Sequence, residues 1–409
     1  APLGSGWRVE RTPHGTFLRR SGDEAPAVDR DADRLRLGAD VVLAAFALLS
    51  GALEADLPRD RWGRHELRGG LLFDEALLHT PLVDHWAGLF RERFAASHGA
   101  LPPWPDGRRY AVCLSHDVDY PEMVRWIEAL RCLAGRRPGL ALRVARGRES
   151  FWRFGEWMDL EESAGARSAF YFCGFKGSLA GYALRTPDPF YDVGAEAFRD
   201  VMAELRARGF EVGMHASCRA RDDQARLARE KRAVEAALGA EIEGNRHHYW
   251  LLDHDRPHRT LAMHAAAGLV YDTSLAFERH SGFRRGTAMP YRVYDPETGG
   301  GSATVQLPPT LMDSHLFDYP LHTDYAAPAE HIAALADAVR DVGGVLVADY
   351  HVRMLNRAFF GPVADSYGEL LAATDEDEAW RVTPARAVAH WLRREERPRE
   401  ADHARGPAH

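Results

Sequence analysis

The feature that most constrains this chain is an alternation running through its second part. Short apolar runs at 110–114, 168–173, 210–214, 269–271 and 344–350, and a strand-like stretch at 241–249, are separated by helix-like stretches. Among these stretches, 195–208, 223–238 and 259–267 carry amphipathic spacing and stop at Gly209, Gly239 and Gly268. A helix over 328–341 precedes the last apolar run, and Thr383-Pro384 opens a final helix to about Arg394. Runs that are apolar throughout read as strands covered on both faces, and strands separated by helices pair in parallel. The expected class is α/β, with a parallel sheet that is open or closed into a barrel.

Residues 1–105 have a different texture and read as a smaller mixed α/β accessory section. Helical spacing covers 38–53, with Asp40 near the start, where a carboxylate suits the helix dipole. A charged turn follows at 59–64, and 71–96 is helix-rich after the Gly69-Gly70 break. Pro102-Pro103-Trp104-Pro105-Asp106-Gly107 is the strongest linker signal. The division expected is 1–105, then 106–395, then a charged, proline-containing tail at 396–409 without fixed structure. The front section has two candidate roles, one wall of a cleft or a contact between two copies of the chain.

Composition narrows the function classes. A net charge of −8 argues against a basic nucleic-acid footprint. The four cysteines, Cys113, Cys132, Cys173 and Cys218, have no CxxC spacing, so neither a disulfide framework nor a zinc finger is expected. The longest apolar run, 41–53, is 13 residues and is broken by Ser50 and Gly51, whereas a membrane span needs about 20. The first residues show no apolar core of the signal-peptide type. A soluble, cytoplasmic protein is the expectation.

In parallel α/β sheets and barrels, reactive residues sit where strands end. The first run continues into Ser115-His116-Asp117-Val118-Asp119. Strand side chains alternate, so Asp117 and Asp119 face one way, and two carboxylates on one face are costly unless a cation pairs them. They read as a metal ligand with a general base, or as a turn pair. His215 directly follows the third run and is a ligand candidate, or an ordinary hydrogen-bonded histidine. In Asn245-Arg246-His247-His248-Tyr249, alternation puts Arg246 and His248 on one face, with Arg246 placed to keep a carboxylate ionised. The last run ends at His351. Polar residues of these types at four strand ends carry a joint catalytic reading that none carries alone. His116 and His247 face the other way and read as core or supporting groups. Asp272, Asp313 and His315 read as pocket lining or as turn residues, and Tyr249 and Trp250 as core or as a platform for a sugar ring. Cys218 reads as inert. There is no GxSxG elbow, no phosphate-binding P-loop and no GxGxxG after a strand.

These stretches resemble the polysaccharide deacetylase superfamily (NodB homology, carbohydrate esterase family 4), in its branch with an S/T-H-D-V-D first motif. Gly213-Met214-His215, Tyr271-Asp272-Thr273-Ser274 and Gly282-Phe283-Arg284-Arg285-Gly286 add to the pattern, over about 110–355. The front stretches 46–50 and 59–64 resemble a domain that often precedes this branch. The resemblance implies a deformed (β/α)7-type barrel and divalent-metal-dependent removal of acyl groups from amino sugars. It implies Asp117 as catalytic base, Asp119 and His215 as metal ligands, Arg246 as tether of the base and His351 as general acid.

One departure affects the ligand set. The family's second motif normally supplies two histidines, but this chain reads His215-Ala216-Ser217-Cys218-Arg219. In the third motif His248 stands where proline is usual. The inference is that His248 replaces the lost ligand, giving Asp119, His215 and His248, a set that leaves water positions open. The ion expected is Zn²⁺, with Co²⁺, Ni²⁺ and Mn²⁺ as alternatives. Such an ion would polarise the amide carbonyl and bring the pKa of its water toward about 7. Asp117 would take the water's proton and His351, as imidazolium, would protonate the leaving amine. The expected partner is a small-molecule or oligosaccharide amino sugar, either a polysaccharide precursor or a natural-product intermediate. Two other functions stay open, a metal-independent hydrolase of another C–N bond (ureide or imide type) and a non-catalytic carbohydrate-binding protein on the same fold.

Overall fold

The computed structural model describes residues 5–12, 15–20, 22, 28–31, 34–37, 39–67, 74–98, 103–184, 188–277, 279–317, 327–374 and 377–404. The front section holds two antiparallel hairpins, β1 (Trp7–Thr12) with β2 (Gly15–Arg20) and β3 (Val28–Asp31) with β4 (Arg34–Leu37). Helices α1 (Val41–Ser50), α2 (Glu75–Leu78) and α3 (Leu82–His98) follow. Asp40 caps α1 by accepting from Leu43 N–H at 2.9 Å, and Gly51 ends the helix at φ 78°. Phe17, Leu18, Val41, Ala44, Leu48, Leu82 and Trp86 form the core of this section, and Phe277 from the second part packs into it.

The second part begins with β5 (Tyr110–Asp117), α4 (Arg125–Ala134), α5 (Pro138–Ala145), α6 (Phe154–Ser163), β6 (Ala169–Phe172), α7 (Leu179–Leu184) and α8 (Glu196–Ala207). It continues with β7 (Glu211–Ala216), α9 (Gln224–Leu238), β8 (Gly244–His247), α10 (Pro257–Ala266), β9 (Tyr271–Asp272), β10 (Tyr294–Asp295), β11 (Gly300–Gly301) and β12 (Val305–Gln306). Then come β13 (Leu311–Met312), α11 (Asp313–Phe317), α12 (Pro328–Val342), β14 (Val345–Asp349), α13 (Arg357–Ala373), β15 (Ala379–Arg381) and α14 (Pro384–Ala404). The main sheet runs β12-β9-β8-β7-β6-β5-β14-β13, with β15 also on β5, and every pairing is parallel.

The ends of this sheet are tied by a short piece of chain. Leu307 N–H donates to Asp272 O at 2.9 Å beside β9, and Thr310 N–H donates to Val347 O at 2.9 Å beside β14. Three residues span at most about 11 Å. The two edges are therefore brought close, and the sheet curls into a deformed, nearly closed (β/α) barrel.

Alternation along β5 separates its two faces. Tyr110, Val112 and Leu114 pack outward against Phe154, Trp157 and Phe170 beneath the helices. Ala111 and Cys113 point inward with Ala169, Tyr171, Tyr271, Val345 and Val347. Small residues at three of these inner positions leave room for the larger rings in a narrow barrel. His116 falls on the outer side, where the tilted Trp157 ring lies with its centroid 4.2 Å away, and Asp117 falls on the inner side.

Two expectations are corrected. The strand read over 241–249 stops at His247, because the chain turns sharply there. Residues 396–404, assigned to an unstructured tail, continue helix α14. Arg394 Nη1 donates to Pro103 O at 2.8 Å and Glu395 pairs with Arg292 at 3.1 Å, so the preceding turn is anchored to the barrel. Residues 405–409 lie outside the described part. Strand β15 and the front hairpins have no counterpart among the sequence expectations, the former being only three residues long and the latter short and rich in charged residues. No helix among the described residues is long and apolar enough to cross a membrane.

Candidate metal and catalytic site

The strand ends converge at one mouth of the barrel. Asp117 is the last residue of β5, and Asp119 follows one residue after Val118, whose N–H donates to Tyr171 O at 3.0 Å. His215 lies near the end of β7, Arg246 in β8, and His351 just past β14. All are buried or nearly so.

His248 arrives by a different route from the one alternation predicts. It opens a short 3-10 turn in which Tyr249 and Trp250 hold φ of 58° and 50°. Two successive non-glycine residues in the left-handed region are strained, and such strain persists only when the surroundings enforce it. The enforcement comes from the front section. Trp62 stacks on Tyr249 with centroids 6.4 Å apart, and Arg64 donates to Tyr249 O at 3.4 Å.

Ligand atoms of Asp119, His215 and His248 all lie within 4.8 Å of one another. His248 Nε2 is 3.0 Å from Asp119 Oδ2, and His215 Nε2 is 3.4 Å from Asp119 Oδ1. His215 Nδ1 is 2.9 Å from Arg246 O, which only accepts, so Nδ1 carries a proton and Nε2 is the ring nitrogen that faces the site. His215 Nε2 and Asp119 Oδ1 are both buried without a hydrogen-bond partner. An imidazole nitrogen and a carboxylate oxygen facing each other in a buried site without a hydrogen bond call for a cation between them. One carboxylate and two imidazoles form a donor set suited to zinc and other first-row divalent ions. These residues fit a metal.

Beside the triad sits a second constellation of charge. Arg246 is completely buried; Nη1 is 3.1 Å from Asp117 Oδ1 and 3.0 Å from Asp349 Oδ1, and Nε donates to Thr273 O at 3.1 Å. Its guanidinium lies 4.7 Å from the Tyr171 ring. The two carboxyls are driven apart. Burial pushes Asp117 up, but His215, Arg246 and His351 together bring it below the usual value. Burial dominates at Asp349, which lies well above the carboxylate range despite Arg246. One arginine thus stands between an ionised Asp117 and a protonated Asp349, the divergence expected of a base and its neutral neighbour.

His351 is held from behind by Asp313, which accepts from its backbone N–H at 2.7 Å and lies 3.0 Å from Nδ1. Burial lowers the imidazole's pKa, but Asp313 overcomes that and raises it to about 10. Its Nε2 is 3.6 Å from Asp119 Oδ2. Asp117 Oδ2 is 3.8 Å from His215 Nε2.

All six residues singled out in the sequence (Asp117, Asp119, His215, Arg246, His248 and His351) come together here. His116 and His247 do not. His116 bridges Tyr350 O (2.7 Å) and Glu161 (2.6 Å) in the outer core, and His247 contacts His264 at 2.9 Å. Trp250 is buried against His315 rather than open to a sugar. Burial raises the Cys218 thiol to about 12, so it is inert. Asp349 was missed, although it shares a strand face with His351 two residues on. Asp313 was read as pocket lining; its pairing with a histidine 38 residues away leaves no local trace.

No family model matches the chain, and no curated protein matches it in sequence. Among solved structures it is similar to a Mycobacterium smegmatis protein assigned as a polysaccharide deacetylase, at 20% identity and TM-score 0.47, over 71% of this chain and 93% of that one. It is similar to an allantoinase at 14% identity and TM-score 0.46, over 77% and 97%. A Pseudomonas aeruginosa PAO1 protein assigned as a polysaccharide deacetylase gives 15% identity and TM-score 0.46, over 73% and 97%. The likeness is one of overall chain path and brings no residue role or activity with it.

Proposed function

We propose that this chain is a metal-dependent amide hydrolase of the polysaccharide deacetylase superfamily, removing an N-acetyl group from an amino sugar. The observation that carries the reading is the buried set Asp119, His215 and His248 with two proton-handling groups at its edge, Asp117 against His215 and His351 against Asp119. A binding protein has no need of a carboxylate held ionised by a buried arginine and an imidazole held protonated by a buried aspartate.

Asp119, His215 and His248 would hold a divalent ion, which supplies Lewis-acid polarisation of the amide carbonyl and of water. Asp117, kept ionised by Arg246, accepts the proton of the attacking water. His351, kept protonated by Asp313, donates to the departing amine nitrogen, without which the amine is a poor leaving group. Arg246 and Asp349 hold Asp117 in register. The Asp313 carboxylate fixes the ring of His351 so that Nε2 faces the site.

The test is acetate release from N-acetylglucosamine oligomers by the zinc-loaded chain. Asp117→Asn and His351→Gln should each lower turnover roughly 10²–10⁴-fold. Acetate release that survives both substitutions, or its absence in the loaded wild type, would sink the reading.

A further inference from the structure

A second cavity lies on the seam between the front section and the barrel and contains none of the six residues above. It has a volume of about 500 Å³, and its lining includes Phe46, Ser50, His254, Arg285 and Tyr294. Two of the stretches that marked the sequence, 46–50 and 282–286, meet there, and the catalytic reading uses neither.

The charge on this seam does not balance. Glu54 is buried and shared by two buried guanidiniums, with Arg284 at 2.6 Å and Arg285 at 3.3 Å. Burial would raise Glu54, but these two arginines hold it well below the carboxylate range. Arg59 is neutralised by Asp255, Arg256 by Asp253 and Arg259 by Glu297. What remains in the buried part of the seam is two guanidiniums, Arg284 and Arg285, sharing the single carboxylate of Glu54. A buried charge without a counter-ion is costly by several kcal/mol.

The surplus belongs to Arg285. Arg284 is fully engaged with Glu54, His254 Nδ1 at 2.8 Å and Ala276 O at 2.8 Å. Arg285 is 2% exposed, and its Nε and Nη1 make no hydrogen bond. Its guanidinium rests on the bare Cα of Gly51. A Cβ there would come within 1.5 Å of Nη1, and Gly51 sits at φ 78°, so no side chain fills this position.

Two further donors line the same space. His254 Nδ1 accepts from Arg284, so the neutral ring carries its proton on Nε2, which is buried and has no partner. Burial, with Arg284 nearby, keeps that ring neutral by holding its pKa well below the ordinary value. Ser50 Oγ is likewise buried without a partner. Guanidinium, imidazole N–H and hydroxyl are all donors. At the mouth, Phe46 and Tyr294 meet edge-to-face at 5.0 Å and present apolar surface. The cavity is several times larger than a bare phosphate needs.

We infer that this seam cavity binds a small organic oxyanion, a phosphate or carboxylate, with its charged head on Arg285, His254 and Ser50 and its apolar body against Phe46 and Tyr294. The inference stands independently of the deacetylase reading, since it uses none of that site's residues.

The test is isothermal titration of the full chain with inorganic phosphate, phenyl phosphate and benzoate at constant ionic strength. Saturable binding is expected for at least one aromatic probe. A preference for phenyl phosphate assigns a phosphate ligand, and a preference for benzoate assigns a carboxylate. Arg285→Met should weaken binding on the order of ten- to a hundredfold. Phe46→Ala, at a half-exposed position that folding tolerates, should weaken the aromatic probes up to about tenfold and leave inorganic phosphate unchanged. Asp119→Ala should change nothing, which separates this cavity from the metal site. No saturable binding in the wild type, binding unaltered by both Arg285→Met and Phe46→Ala, or binding lost in Asp119→Ala overturns the inference.

Discussion

Asp313 and His351 form a closed pair. The carboxylate takes both the backbone N–H of His351 at 2.7 Å and its ring Nδ1 at 3.0 Å, leaving Nε2 as the one ring nitrogen that faces the site. The pair raises the imidazole to about 10, so it remains a proton donor through neutral pH and loses its proton only as pH rises through that value. Asp313→Asn keeps the shape and removes the charge. The alkaline limb of the kcat profile should then move down toward the ordinary histidine value near 6.5, with the acid limb unmoved. A pH profile of the variant that overlays the wild type would dismiss Asp313 as a positioning residue.

Metal content should follow the ligand triad and not the base. Elemental analysis of purified chain should find about one divalent ion per molecule. Asp119→Ala, His215→Ala and His248→Ala should each strip it, while Asp117→Asn should retain it despite its inactivity. Chelation should abolish turnover and zinc should restore it. Retention of full metal by His248→Ala would show that His248 does not replace the histidine missing at position 219.

Acid stability should depend on a buried histidine pair behind β8. His264 is completely buried with Nε2 at 2.9 Å from His247, and burial lowers its pKa to about 3. Its ordinary value is about 6.5, so between those values the unfolded chain binds the additional proton and stability rises with pH. That stability is complete above about 6.5 and is lost as pH falls toward 3. His264→Gln should flatten the fall, read as the urea midpoint at pH 7 against pH 4.5. An equal fall in both proteins would refute the assignment.

Trp157 should be a strong point of the outer core. It is fully buried, packs against His116 at a tilt and edge-to-face against Tyr367, and donates to Val352 O at 2.8 Å. Trp157→Ala should cost about 3–5 kcal/mol in unfolding free energy. A loss below about 1 kcal/mol would mean that the surrounding rings collapse into the cavity.

Legibility followed how local each signal was. Asp117, His215 and His351 could be found because each lies at the end of a short apolar run, a pattern contained in a few neighbouring residues, and Arg246 through its strand-like stretch. The alternation of runs and helices likewise carried the parallel α/β class. His248 was reached by assuming a strand that continues to Tyr249; the residue does arrive at the site, but through a left-handed turn braced by Trp62 and Arg64. Nothing local to 245–249 encodes that brace, which comes from more than 180 residues earlier. Asp349 was absorbed into the apolar run containing it.

The sequence by itself determined the parallel α/β class and which strand ends carry chemistry, because burial on both faces and two-residue alternation are short-range properties of the chain; closure into a barrel came from the edges brought together at 307–310. Only the tertiary structure decided the protonation states. Asp117 is held low by the charges of His215, Arg246 and His351, Asp349 is held high by burial despite Arg246, and His351 stays charged because Asp313 is folded against it. The surplus charge of Arg285 is of the same kind. It exists because the front section brings a single carboxylate, Glu54, against two arginines of the barrel, and in a low-dielectric seam such a count cannot be balanced by water.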